Sequence, residues 1–195
     1  MAEAKTKKER LVTPEGIASF VHVFEPHAVE EGKPPKFGLI LLFQSKEEIK
    51  QLRAKCIAAA DERFGRETWK KLLDKKKFRF PWRPADEYED YGAPFADAPA
   101  EAVFCNFSSK DAPEVVDRSA KPIMKASEVY SGMLARVSYA VWAYDSNGNK
   151  GVTLLLNNVQ KTGKGEKLSG KPGANEDFDA VEGEDGTEEE DDDEI

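Results

Sequence analysis

The stretch from Gly132 to Gln160, GMLARVSYAVWAYDSNGNKGVTLLLNNVQ, leaves little freedom in how it folds. Asn147-Gly148 is a two-residue hairpin signal, because both central positions of that turn want φ > 0, which Asn and Gly adopt most cheaply. The turn sets the register. Ala143 then faces Val152, Val141 faces Leu154 and Tyr139 faces Leu156, so one face of the ribbon is apolar and belongs to a core. The other face carries Arg136, Ser138, Ala140, Trp142 and Tyr144, opposed by Val159, Asn157, Leu155, Thr153 and Gly151. Asp145 opposite Lys150 adds a charge pair beside the turn. Large aromatics next to small partners and an arginine suit the stacking of nucleotide bases. The plainer alternative is that Tyr144 covers the strand glycine and Trp142 packs under a loop.

Charge is distributed unevenly. Of the 37 acidic residues 13 lie between Asn175 and Ile195, where Lys and Arg are absent. The other 174 residues hold 24 acids against 29 bases, a net +5, so the overall charge of −8 is a basic body joined to a −13 tail. A basic body suggests a polyanionic partner, and an acidic tail suggests an interaction arm or an internal competitor for the same surface. Cys56 and Cys105 lie far apart, without a signal-peptide pattern, and read as reduced core thiols. No segment approaches 18 uninterrupted apolar residues, so membrane insertion is not expected.

Residues 1–13 form a Lys-rich arm. Ile17 to Phe24 reads as a strand that Pro26 ends, with Ile17, Ser19, Val21 and Val23 on one side and Ala18, Phe20, His22 and Phe24 on the other. Lys36 to Phe43 is a second strand, apolar on both faces and therefore central. Ser45 with Glu48 forms a capping box, and Ile49, Leu52, Cys56, Ala60 and Phe64 follow at helical spacing until Gly65. Between Lys70 and Arg83 seven bases stand against one acid, while Phe78, Phe80 and Trp82 alternate with Lys77, Arg79 and Arg83. Cations that track phosphates between rings that stack on bases are what a single-strand binder needs. The alternative is a strand whose aromatic side is core, with Arg79 and Arg83 still a cationic stripe. Ala85 to Ala100 reads as a surface loop or flap, Glu101 to Ser108 as a strand, and Ser109 to Ala126 as a turn-rich connection.

The residues an enzyme needs are missing. His22 and His27 are the only histidines, no CxxC is present, and GKGEKLSGK is not a P-loop. Asp145, Asn147 and Asn149 begin a calcium-loop pattern that Lys150 and Leu156 break. Binding rather than catalysis is expected, without metal, cofactor or small-molecule substrate.

The run VFCNFSSKDAPEVVDR from Val103 to Arg118, then Tyr130-Ser131-Gly132 and AYDSNGNKGVTLLLNNVQKTGKGEKLSG, resembles the bacteriophage single-stranded DNA-binding proteins with an oligonucleotide/oligosaccharide-binding (OB) fold. The resemblance spans roughly residues 13 to 170 and implies a mainly β protein. Its core would be a five-stranded Greek-key β-barrel with one main α-helix, long loop elaborations and a disordered acidic C-terminus. Composition sets a flexible arm at 1–13, a Gly/Lys linker at 163–174 and the acidic tail at 175–195 around a binding domain at 14–162. A plain OB-fold carries its helix between the third and fourth strands, whereas the helix here follows the second.

The expected function is sequence-independent binding of single strands in phage DNA replication and recombination, in the cytoplasm of a host bacterium. Candidate DNA-binding residues are Arg79, Phe80, Trp82, Arg83, Arg136, Trp142, Tyr144 and Lys150. The tail, Glu188, Glu189, Glu190, Asp191, Asp192, Asp193, Glu194 and Ile195, would recruit replication or recombination proteins; tails of this type often end on an aromatic, and this one ends on Ile195. Alternatives are a non-catalytic interaction module whose tail is the functional part, and a DNA-processing nuclease.

Overall fold

The computed structural model describes residues 11–28, 32–91, 95, 97–146 and 148–168. The described chain is mainly β, with two α-helices. In order it forms β1 (Leu11–Val12), β2 (Gly16–His27), β3 (Lys36–Phe43), α1 (Lys50–Phe64), α2 (Arg66–Asp74), β4 (Phe78–Arg79) and β5 (Trp82–Pro84). A 3₁₀ segment, Ala85–Tyr91, leads on to β6 (Val103–Ser109), β7 (Glu114–Val116), β8 (Leu134–Ser146) and β9 (Asn149–Gly163).

One sheet contains all nine described strands. The long ones pair in a cycle: β8 with β2, β2 with β3, β3 with β6, β6 with β9 in parallel, and β9 with β8. The expectation of five strands and one main helix is thus corrected by four added strands of two or three residues, β1, β4, β5 and β7, and by α2. Runs that short carry no periodicity to read.

The central strand behaves as its sequence requires. Leu39, Leu41 and Phe43 point into the main core with Cys56, Cys105, Phe107, Val137 and Leu154. Ile40 and Leu42 point the other way, into a second cluster with Ala85, Phe95, Ala102 and Phe104. Ala85, Phe95 and Ala102, with Tyr88 and Ala98 beside them, are therefore packed over the outer face of β3 and β6. Leu52, Cys56 and Ala60 of α1 bury the predicted stripe, and Gly65 ends the helix at φ 75°. The capping box is not formed as expected: a turn occupies 46–49, the helix starts at Lys50, and the Glu48 carboxylate accepts from the Gln44 N–H at 3.1 Å. Asp61 then ties α1 to α2, accepting from Arg66 Nη2 and Trp69 Nε1, each at 2.7 Å. These bonds, the one from Arg66 foremost, hold its carboxyl below the ordinary value.

Three further expectations are corrected. β2 runs through Pro26 to His27 instead of stopping, and a register shift around Phe20 places Ala18, Val21 and Val23 together on the core side. Ser109 to Ala126 contributes β7, which lies parallel to β9 and buries Val115. Residues 163–168, expected to open a flexible linker, fold back instead: Tyr130 Oη donates to the Gly165 carbonyl at 3.2 Å, and the Leu168 N–H donates to the Ser131 carbonyl at 3.0 Å. Gly132, at φ 108°, allows this approach, since a Cβ there would lie 1.7 Å from the Glu166 carbonyl oxygen. Among the described residues no helix is long and apolar enough to cross a membrane.

Candidate nucleic-acid interface

The hairpin has the expected register at its tip. Tyr144 pairs with Gly151, Trp142 with Thr153, Ala140 with Leu155, and Asp145 with Lys150, whose ammonium forms an ion pair with the Asp145 carboxylate. Gly148 takes φ 80°; its turn partner Asn147 lies outside the described residues. Further from the turn a bulge between Ser138 and Tyr139 shifts the pairing. Ser138 faces Asn158 rather than Asn157, and Arg136 faces Gln160 rather than Val159. The extra residue returns Val159 to the core opposite Val137, so burial of a valine decides the slip.

Trp142 is 56% exposed, and Leu155 beside it on the same face is also open. A large ring left in water on a strand costs apolar hydration, and it stands free to meet a flat partner. Tyr144 behaves differently. Its hydroxyl oxygen and Cζ lie 2.8 and 3.0 Å from where a Cβ of Gly151 would sit, so the ring covers the strand glycine.

β4 runs parallel to β9, with Phe78 beside Lys150 and Arg79 beside Gly151. This brings exposed Arg79 next to Lys150 and the hairpin tip. Phe78 is core, in edge contact with Phe64 and Phe80. Phe80 and Trp82 are half-buried against the main core and stack on each other at 4.4 Å and 16°. The Arg53 guanidinium stands 5.6 Å from the Trp82 ring centre, and Trp82 pairs with Cys105 across β5 and β6. Much of the interleaved aromatic run is thus a packed ladder, while Arg79 and Arg83 form its exposed cationic edge. Arg83 also lies 3.8 Å from Glu87.

Arg136 is not brought to this cluster. It sits six residues from Trp142, roughly 20 Å along the strand at about 3.3 Å per residue. Its Nε donates to Gln160 Oε1 at 2.7 Å, and Gln160 Nε2 donates to the Asp117 and Arg118 carbonyls. Arg136 and Gln160, with Val12, Val116, Ser138 and Asn158, line an open cleft of about 280 Å³. Tail residues Glu188 to Ile195 lie outside the described residues. Leu155 and Arg53 were not singled out from sequence. The approach of Arg53 on α1 to Trp82 on β5 is a tertiary contact, which a local pattern does not report.

Among the described residues no group of three or more His, Cys, Asp or Glu side chains is placed to hold a metal ion. No curated protein matches the chain. Solved structures with the same fold include the single-stranded DNA-binding protein of bacteriophage Enc34 in complex with ssDNA, at 18% identity and a TM-score of 0.58, covering 82% of this chain and 89% of that one. The Enc34 protein is also matched in a second structure, at 16% identity and TM-score 0.57 over 87% and 90% of the two chains. A third is gp2.5, a single-stranded DNA-binding protein encoded by bacteriophage T7, at 11% identity and TM-score 0.58 over 84% and 91%. The sequence match is more extensive than these identities suggest: residues 9–194 fit the family described as Enterobacter phage Enc34, ssDNA-binding protein, and the chain belongs to that family.

Proposed function

We propose that this chain binds single-stranded DNA without base preference and protects and organises single strands during phage DNA replication and recombination in the host cytoplasm. Trp142 carries the proposal: a tryptophan 56% exposed on an ordered strand, in the hairpin whose tip holds Lys150 and is flanked by Arg79, in a member of a family named for such binding. Backbone phosphates would displace counterions at Arg79, Arg83 and Lys150 while bases stack on Trp142. Arg136 would hold a more distant part of the strand. Tyr144, Phe80 and Trp82 serve the site mainly by shaping it, each offering the ring area its packing leaves open.

The cycle of five long strands, with its parallel closing pair β6 and β9, supports an OB barrel of Greek-key order. We assign residues 14–168 to that domain, 1–13 to a basic arm and 175–195 to an acidic tail. The tail would recruit replication or recombination proteins and compete with DNA for the basic surface. Nothing in this reading requires catalysis, a metal or a cofactor.

The test is tryptophan fluorescence during titration with oligo-dT at two salt concentrations, with a gel shift as an independent readout. Saturable quenching is expected, with affinity falling by about 0.7 log unit per log unit of salt for each phosphate neutralised. Absence of binding in both assays would move the function to the tail and leave the barrel as scaffold. Magnesium-dependent loss of the oligonucleotide would indicate a nuclease.

A further inference from the structure

The base of the hairpin carries two rows of residues across four strands. Val12 of β1, Ser138 of β8, Asn158 of β9 and Glu114 of β7 stand in one, and Arg136, Gln160 and Val116 in the next. All but Glu114, together with Val159, line the cleft described above, and no aromatic ring is among them. One cation is fixed at its centre. Gln160 holds the Arg136 Nε with its oxygen and the Asp117 and Arg118 carbonyls with its nitrogen. The turn that presents those carbonyls is closed by the Asp117 carboxylate, which accepts from the Ser119 and Lys121 N–H groups at 2.8 and 2.9 Å, with Ala120 at φ 59°.

Among the described residues the two Nη groups of Arg136 meet no acceptor. Asn158 Oδ1 is taken by the Glu114 N–H at 3.1 Å, which leaves its amide nitrogen as a second donor. A guanidinium held at Nε with its fork unmatched is oriented in advance for a carboxylate or a phosphate. Its surroundings are apolar, with Val12 49% exposed, Val116 half-buried and Val159 beneath. The cleft therefore fits a ligand that brings an acidic and an apolar side chain together.

The chain itself contains such a ligand. Asp177-Phe178-Asp179-Ala180-Val181-Glu182 sets two large apolar side chains among acids, within a stretch that has no Lys or Arg from Asn175 onward. The route to it is short. Leu168 is bonded to Ser131, five residues before Arg136. Phe178 lies ten residues beyond Leu168, a reach of up to about 35 Å, whereas Ser131 and Arg136 stand at most about 18 Å apart along the chain. Exposed Lys121 and half-buried Arg118 add positive charge in the adjoining turn.

We propose that segment 177–182 docks on this cleft of its own chain, with Phe178 and Val181 covering Val12 and Val116 while a neighbouring carboxylate takes the Arg136 fork. A single strand finds no ring to stack on here, and a free peptide of the same composition lacks the effective concentration of a tethered segment. The docking names the seat of the tail and, for its effect on DNA, rests on the single-strand reading given above: a phosphate and a tail carboxylate exclude each other at Arg136. Apolar anchors make the tail a specific occupant rather than a diffuse counter-charge, so its hold outlasts salt that screens the acids.

The test uses the full chain carrying Phe178→Ser and Val181→Ser together, which keeps all 13 tail acids. In NMR spectra without DNA, the backbone amide signals of Val116, Arg136, Ser138 and Asn158 should move relative to wild type, and those of Trp142 and Thr153 should not. Unchanged signals around the cleft would overturn the docking, whatever the affinity for DNA. A difference that fades on dilution would put another copy's segment in the cleft and overturn the arrangement within one chain. With oligo-dT the double variant should bind about fivefold more tightly, the lower end of common couplings between two ligands. That gain should be absent in an Arg136→Gln background, because the groups share one contact. The same gain with Arg136→Gln would seat the tail elsewhere. Failure of wild type to bind oligo-dT would remove the single-strand reading, and the NMR comparison would still decide the docking.

Discussion

The Tyr144 ring lies across Gly151, its hydroxyl oxygen 2.8 Å from the point a glycine Cβ would occupy, and the Arg79 carbonyl oxygen approaches the same point to 2.4 Å. One missing methyl group thus lets the hairpin carry an aromatic cover on one strand and accept β4 alongside. Gly151→Ala should push Arg79 and the ladder of Phe78 and Phe80 outward. The expected cost is about 1–3 kcal/mol, the usual range for forcing a methyl group into packed structure, read as a lower denaturation midpoint. A midpoint equal to wild type would mean that neither contact holds in solution.

That contact also indicates how far local sequence reasoning reaches. The register next to the turn follows from Asn147-Gly148 and the alternation around it, so the pairs from Tyr139–Leu156 to Asp145–Lys150 agree with the structure. Directly beyond Tyr139 the bulge breaks the count, because the gain from burying Val159 appears only once the core is assembled. Lys36–Phe43 was legible on both faces, being apolar throughout. β4 and β7 were not, since a parallel pairing of two or three residues with β9 has no turn to announce it. The alternation of Phe78, Phe80 and Trp82 with bases was visible, but the helix Arg66–Asp74, whose Trp69 packs against Phe78 and Phe80, was not. Phe20 was assigned to a regular strand, and only the pairing with β3 reveals the slip that exposes it.

Two tryptophans should respond in opposite ways. Trp82 is half-buried between Phe80 and Arg53, so Trp82→Ala is expected to cost roughly 2–4 kcal/mol, toward the lower part of the range for truncating packed aromatics. Trp142 touches the fold little, and Trp142→Ala should change stability by less than about 0.5 kcal/mol. Its oligo-dT affinity should nevertheless fall about tenfold, within the value of one lost stack. Urea denaturation and fluorescence titration of both variants make the comparison. Trp142→Ala with wild-type affinity would return that ring to an ordinary surface role.

Removing residues 175–195 takes 13 acidic groups from the chain and leaves a body of net charge +5. If the tail competes for the basic surface, the truncated protein binds oligo-dT more tightly at low salt. The advantage shrinks as salt rises, because the Debye length falls from about 30 Å at 0.01 M to about 10 Å at 0.1 M. Equal or weaker binding after truncation at low salt would show that the tail does not occupy the DNA surface.

Cys56 and Cys105 should be silent in the folded protein. Both are fully buried in the main core. Burial pushes the Cys56 thiol up to about 12, and burial, with Cys56 nearby, raises Cys105 as well. The thiolate is the reactive form. At pH 8 an aromatic disulfide reagent should therefore label neither cysteine in native buffer and both in denaturant. Rapid native labelling of either would show that the core opens between β6 and α1.

Acid should weaken the fold through His22 and His27, whose rings stack at 4.4 Å and 12° on β2. His22 titrates below its ordinary value of 6.5, first because burial disfavours its charge and then because His27 repels it. Lys36, paired across from His27, is a further positive group at the same strand end. The native state therefore binds a proton at His22 less readily than the unfolded chain, so stability is unaffected above about 6.5 and falls as pH drops toward the lowered native value. Below that value both states are protonated and the loss stops growing. Carboxylates contribute acid sensitivity of their own, which makes the informative quantity a difference between proteins. Between pH 7 and pH 5, His22→Gln should lose less thermal stability than wild type, and His27→Gln should recover part of the same difference by removing the repelling partner. Equal losses in wild type and His22→Gln would show that the imidazole stack does not form in solution.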